Sequence, residues 1–167
     1  MKASPETSIE VMSRTASLLR GLLDGLPEEL LTVRDEEGWG PSTVVAHMVA
    51  IEPVALVDRV RRILEEERPA VPDIDESANL EESGLRNAPL AELLGRFERQ
   101  RLETLEFLHG IDGAGWQRVG MQSVVGEITA ENVLHHFANH DLLHLEQISA
   151  LVRRPINDGR GAMRTLY

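Results

Sequence analysis

The stretch from Ala130 to Arg153 constrains this chain more than any other, because a helical apolar period runs through it with histidines set into the apolar stripe. It holds four of the six histidines of the 167-residue chain: His135, His136, His140 and His144. On a helix advancing about 100° per residue, Val133, Leu151, His144, Gln147, His136 and Phe137 all fall within roughly 60° of His140. Imidazoles on one buried stripe repel each other when protonated and each need a partner when neutral. A divalent cation satisfies them together, so the stretch predicts metal binding; the competing reading is a set of hydrogen-bonded core histidines. His136 with His140, and His140 with His144, have the same four-residue spacing, which stacks two rings one turn apart. Either pair suits a metal.

The absence of cysteine excludes disulfides, zinc-thiolate sites, iron-sulfur clusters and cysteine nucleophiles, so any metal must be held by nitrogen or oxygen. A formal net charge of -11 argues against nucleic acid, whose binders cluster Lys and Arg against phosphate. The densest basic group, Arg59, Arg61 and Arg62, stands ahead of Glu65-Glu66-Glu67 and reads as a solvated helix face. No apolar run approaches the roughly 20 residues that span a bilayer, and the start has no apolar signal core. A cytoplasmic protein away from membranes is expected, as one domain over 1–167 with its core at about 5–153.

Four helices are predicted. The first covers about 5–25 from the period Ile9, Met12, Ala16, Leu19, Leu22, Leu23 and Leu26. A short turn of helix follows at Pro27 to Leu31. Pro41 starts the second, since proline at the first helical position leaves no amide unpaired; Pro53 should kink it before it continues toward Glu67. Residues 68–88, acidic and proline-bearing, read as a long loop, either a lid or disordered. The third helix begins at Asn87 to Pro89, buries Leu90, Leu93, Leu94, Phe97, Leu102, Leu105 and Leu108, and stops at Gly110. Ile111 to Ile128 reads as extended or a loose hairpin. Thr129 is expected to cap the fourth helix, about 130–153, with Glu131 in its first turn, and the tail from Arg154 to Tyr167 is expected to be irregular.

A metal site on the fourth helix needs a ligand from elsewhere. His47 is the only other histidine on an apolar stripe, with Thr43, Val44, Ala50, Ile51 and Val54 within about 60° and Val45 and Val49 pointing away. His109 suits a helix end at the surface, and His135, about 140° from His140, is expected to be exposed. Asp141 lies about 100° off the ligand direction and is expected to bond a neighbouring helix; Glu52 and Glu146 are also off-axis. Gln147 either orients a bound water or bonds backbone. Leu134, Ala138, Leu142 and Leu145 form a second apolar stripe, which either pairs two chains as a homodimer or lies under the tail.

Trp39-x-Pro41-x-x-x-x-x-His47, Glu92-Leu93-Leu94-x-x-Phe97 and His140-Asp141-x-x-His144-x-x-Gln147-Ile148 together resemble the DinB/YfiT-like superfamily of metal-dependent enzymes, over about residues 8–152. The resemblance implies an all-α four-helix bundle with a long crossover loop between helices two and three. It further implies a metal held by His47, His140 and His144, with His136, Gln147 and Asp141 around those ligands, and a dimer. Three imidazoles leave a coordination position open, where a metal can activate water or a thiol. Zinc or nickel is expected ahead of iron or manganese. The implied activity is thiol S-transfer or hydrolysis on a small molecule, with a low-molecular-weight thiol as a candidate partner; no general base is identified. The alternative is a non-catalytic protein that binds a metal or small ligand.

Overall fold

The computed structural model describes residues 2–166. Met1 and Tyr167, the ends of the expected domain and, for Tyr167, of the expected irregular tail, lie outside the described residues. Helix α1 (Pro5–Leu23) is capped by the Ser4 hydroxyl, which accepts from the Thr7 amide, and buries Ile9, Met12, Thr15, Leu19 and Leu23 along one stripe. Gly25 ends it with φ +74°, a conformation side chains disfavour. The short α2 (Glu28–Leu31) leads into a loop and then α3 (Pro41–Glu52). Ahead of α3, a Cβ on Gly40 would come within 2.8 Å of the Val33 carbonyl oxygen, so the close approach of the two backbone segments requires glycine.

Burial around α3 is more complete than one apolar stripe predicts. Val45 and Val49 are as enclosed as Val44, because α3 packs against α6 (Leu90–His109), α8 (Ala130–Asp158) and α5 (Glu76–Ser83) on different sides. Such a helix belongs at the centre of a fold. At Pro53 the helix widens into a π-helical segment, Pro53–Asp58, and resumes as α4 (Arg59–Glu65). Proline has no amide hydrogen for the Val49 carbonyl; Gln100 Nε2 donates to that oxygen instead, at 3.1 Å.

Residues 68–88 are not an aperiodic loop. They contain β1 (Ala70–Val71) and α5, which Asp75 caps and from which Leu80 is fully buried. One apolar anchor in an eight-residue helix is too sparse to produce a period. In α6, Leu102 is exposed where burial was expected. The buried position one turn after Phe97 belongs to Arg101, and Leu102 lies about 100° further round.

The expected hairpin is present after α7 (Gly113–Trp116): β2 (Val119–Gln122) and β3 (Gly126–Thr129) pair antiparallel, with Val119 opposite Thr129, and β1 adds to β2 in parallel. Arg118 fastens it to the end of α4 by donating to the Ile63 and Glu66 carbonyls, both at 2.8 Å. Thr129 and Asn132 form a capping box at the start of α8. That helix runs past Pro155 to Asp158, beyond the expected end, because a proline in the last turn costs few backbone bonds. The tail to Leu166 is a 3-10 helix, Gly161–Leu166, rather than irregular; Arg164 ties it back by donating to the Asn157 carbonyl and the Asp158 carboxylate. The second stripe of α8 divides: Leu134 and Ala138 are core, Leu145 is half-buried, and Leu142 is 50% exposed. Among the described residues no helix is long and apolar enough to cross a membrane.

The four long helices form a ring in which α1 contacts α6 and α8, and α3 contacts the same two. Two apolar clusters fill it, one around Met12, Ile51, Leu108 and Phe137 and the other around Leu19, Met48, Phe97 and Ile148. Between them every helix contributes polar groups: Thr15, Glu52, Arg101 and Asp141, all at most 1% exposed. Arg101 donates from Nε and Nη2 to the two Glu52 oxygens at 3.0 Å each, from Nη1 and Nη2 to Asp141 at 2.5 and 3.1 Å, and from Nη1 to the Met12 carbonyl at 2.8 Å. All five N–H groups of the guanidinium thus have acceptors. Thr15 also donates to Asp141, at 2.8 Å, and Gln100 to Glu52, at 3.3 Å. Burial pushes the Asp141 carboxyl above its ordinary value, with Arg101 and Thr15 acting against that.

Removing the arginine should strand two carboxylates in the core without a counter-charge. Arg101→Met is expected to destabilise the fold by about 3–5 kcal/mol, and the triple replacement Glu52→Leu, Arg101→Met, Asp141→Leu to recover most of that loss. Urea unfolding of both variants checks it; an Arg101→Met protein as stable as wild type would show that the network does not brace the bundle.

Candidate metal centre

Three side chains from two helices converge in this polar layer. His47, from the middle of α3, is fully buried; His140 and His144 stand one turn apart on α8 and are partly buried. The ligand-capable nitrogens of the three lie within 4.8 Å of one another. His140 Nε2 is 3.1 Å from His47 Nε2 and 3.0 Å from His144 Nε2. For comparison, metal–nitrogen bonds of about 2.0–2.1 Å in a tetrahedral shell put neighbouring nitrogens roughly 3.3 Å apart.

Hydrogen bonding alone does not satisfy this arrangement. A neutral imidazole nitrogen offers either one hydrogen or one lone pair, so His140 Nε2 can serve one of its two neighbours and not both. Protonation is resisted: burial, with His144 nearby, lowers His47 to about 4. Burial, then His144, His47, His136 and Arg101, lowers His140 to about 3. Neutral rings with converging lone pairs are the donor set a borderline divalent cation accepts.

The rings are positioned from several directions. Phe137 stacks on His140 with centroids 4.9 Å apart, and the edge of Trp39 meets His47 at 5.4 Å. Gln147 stands between His144 and the loop ahead of α3: its Nε2 donates to Asp35 Oδ2 at 3.4 Å, and its Oε1 lies 2.9 Å from His144 Nδ1. The carboxylate can only accept, so it turns the amide oxygen toward His144. Nδ1 of His144 must then carry the hydrogen, and the neutral ring in that tautomer has its Nε2 lone pair facing His140. Asp35 is itself held, its Oδ1 accepting the Trp39 and Glu37 amides at 2.7 and 3.1 Å. The buried Nδ1 atoms of His47 and His140 have no partner among the described residues.

The remaining histidines sort differently from the expectation. His135, expected at the surface, is half-buried; its Nδ1 is 2.8 Å from Ser8 Oγ and its Nε2 3.1 Å from Glu131, because α1 packs over that side of α8. His136 is exposed and lines a cavity that also reaches His140. His109 is exposed at the end of α6. Asp141 is bonded to Thr15 and Arg101 on two neighbouring helices.

Several groups escaped the sequence reading. Glu76, on α5, brings a carboxylate oxygen to 3.7 Å from His47 Nε2, and Asp35 acts from 112 residues away. Only Arg101 left a visible signal: a charged residue placed on the apolar stripe between Phe97 and Leu108.

No curated protein matches the chain. Among solved structures, YfiT from Bacillus subtilis, described as a probable metal-dependent hydrolase with an unusual four-helix bundle topology, superposes with a TM-score of 0.79 at 23% identity, covering 92% of this chain and 90% of that one. At that identity the likeness shows the bundle fold. A family model described as the DinB superfamily matches residues 12–148, a span that includes His47, His140 and His144, and the chain therefore belongs to the DinB superfamily.

Proposed function

We propose that His47, His140 and His144 hold one divalent metal ion, zinc or nickel in first place, and that the protein is a metal-dependent enzyme acting on a small molecule by hydrolysis or thiol transfer. The observation that carries this is the position of His140 Nε2, within 3.1 Å of two other imidazole nitrogens and able to bond only one of them. The description of YfiT as a probable metal-dependent hydrolase supports the same reading. When bound, such an ion with a free coordination position supplies Lewis acidity that lets water or a thiol react near neutral pH.

The chain's own residues prepare that chemistry. Gln147 and Asp35 fix His144 with its Nε2 lone pair inward, and Trp39 and Phe137 hold the other two rings and shed water from them. Ile51 and Ala55 line the apolar wall of the small cavity that opens at His140. The 66–89 connection, which we read as the family's crossover, brings Glu76 to the rim.

As-purified protein is expected to carry close to one equivalent of metal, and His140→Ala to lose it while remaining folded. Elemental analysis decides this; unchanged metal content would end the assignment. Gln147→Leu, which frees the His144 ring, is expected to weaken metal binding roughly 10–100-fold. Turnover is then sought with a thiol plus chloroaromatic or epoxide panel and an ester panel. Metal-dependent activity supports the enzyme, and bound metal with no turnover favours a binding protein.

The depressed imidazoles also give the metal-free protein a pH signature. Unfolded histidine takes a proton near 6.5, whereas folded His47 and His140 do so only at about 4 and about 3. Between those values the unfolded chain binds more protons, so stability is complete above about pH 6.5 and declines as pH falls through the folded values. Urea midpoints of chelator-treated protein should drop between pH 7.5 and 5, with a shallower drop in His140→Ala, which lacks one such ring. Equal slopes would contradict it.

A further inference from the structure

We infer that the cavity in front of His140 is built for a small organic anion, with an apolar body against the hairpin and a carboxylate-like group on Arg59. This rests on His140 marking the working site, as proposed above. Two cavities adjoin there. The outer, of about 410 Å³, falls in the range of about 300–1,000 Å³ usual for small-molecule sites, and Val124, Val125, Ile128 and Val133 give it apolar walls. The inner, of about 70 Å³, ends at His140 and Phe137. Arg59, Asp73 and His136 line both, so the two cavities meet at these side chains.

Arg59 is the unusual member. Its Nη2 donates to the Pro72 carbonyl at 2.8 Å, which holds the side chain in place, but its buried Nε has no partner among the described residues. No described carboxylate forms an ion pair with it. The fully buried guanidinium, Arg101, has an acceptor for every N–H, whereas Arg59 is half-buried on a cavity wall with a single protein acceptor for its Nη2. Burial pushes Arg59 below its ordinary value, and the nearby charges of Asp73 and Glu76 act the other way without bonding it. An arginine held by one backbone carbonyl on a cavity wall, with no carboxylate bonded to it among the described residues, has the planar fork of donors that binds carboxylates. Asp73, which also lines both cavities, offers an acceptor and so suits a hydrogen-bond donor elsewhere on the ligand.

The test compares 4-phenylbutyrate with 4-phenylbutyramide, which match in size and differ in charge, by calorimetric titration of metal-loaded and of chelator-treated protein. The carboxylate is expected to bind at least tenfold tighter in both preparations, and Arg59→Met to abolish the preference. Val125, 71% exposed at the hairpin tip, gives a second variant that leaves the core intact: Val125→Glu should weaken the carboxylate and spare the amide. Equal or undetectable binding of the two probes, or a preference that survives Arg59→Met and Val125→Glu, overturns the inference. So does a preference confined to metal-loaded protein, since the carboxylate would then sit on the metal. Because the chelator-treated arm needs no metal, failure of the metal assignment shows separately, in the elemental analysis.

Discussion

The guanidinium of Arg101 is the fixed point of this bundle. A buried arginine must find five acceptors in defined directions, and here they come from α1, α3 and α8 while the arginine itself belongs to α6. Apolar ridges tolerate small slides and rotations with modest loss, whereas this network does not. Two forked carboxylates set the rotation of α3 and α8 about their axes and their heights relative to α6. Asp141 is the neighbour of His140, and Glu52 lies five residues beyond His47, so the interaction that sets the registers lies next to the residues whose convergence depends on them.

Precision at the histidines therefore has two separate sources. The backbone heights come from inside the bundle, through Arg101, while the orientation of His144 comes from outside it, through Gln147 and the loop at Asp35. That loop is shaped by the amides of Glu37 and Trp39 on the same aspartate, and Trp39 then packs its edge against His47. One carboxylate in an irregular segment thus steadies two of the three rings.

How much of this could be read from the sequence follows from the range of each interaction. Helical periods and end signals are local, and they gave Pro41, Gly110 and Thr129 their roles; the residues His47, His140 and His144 emerged as candidates from stripe position and family resemblance. What escaped was set by partners far along the chain. Val45 and Val49 point away from the His47 stripe, and they are enclosed because α3 is packed on several sides at once. His135 and His136 exchange expected environments because α1 covers one side of α8 and not the other, which no count of degrees per residue can decide. Helix α5 has a single buried leucine and so no period, and Asp35 reaches Gln147 only through the tertiary fold. Arg101 was the exception: a charge on an apolar stripe is itself a statement that acceptors lie across the core.

The polar layer also has an electrostatic logic. With both carboxylates ionised, Glu52, Arg101 and Asp141 carry one excess negative charge, an arrangement that burial opposes by raising Asp141. Of the adjoining histidines, His140 is held toward the neutral form by the same burial and then by His144, His47, His136 and Arg101, and His47 by burial and His144. A bundle that held only neutral imidazoles would gain nothing from a surplus carboxylate beside them. A bundle that takes up a dication between them does, because the excess charge offsets part of the cost of enclosing the ion. With the proposed ion bound and both carboxylates ionised, the network that braces the helices would match the site in charge as well as in register.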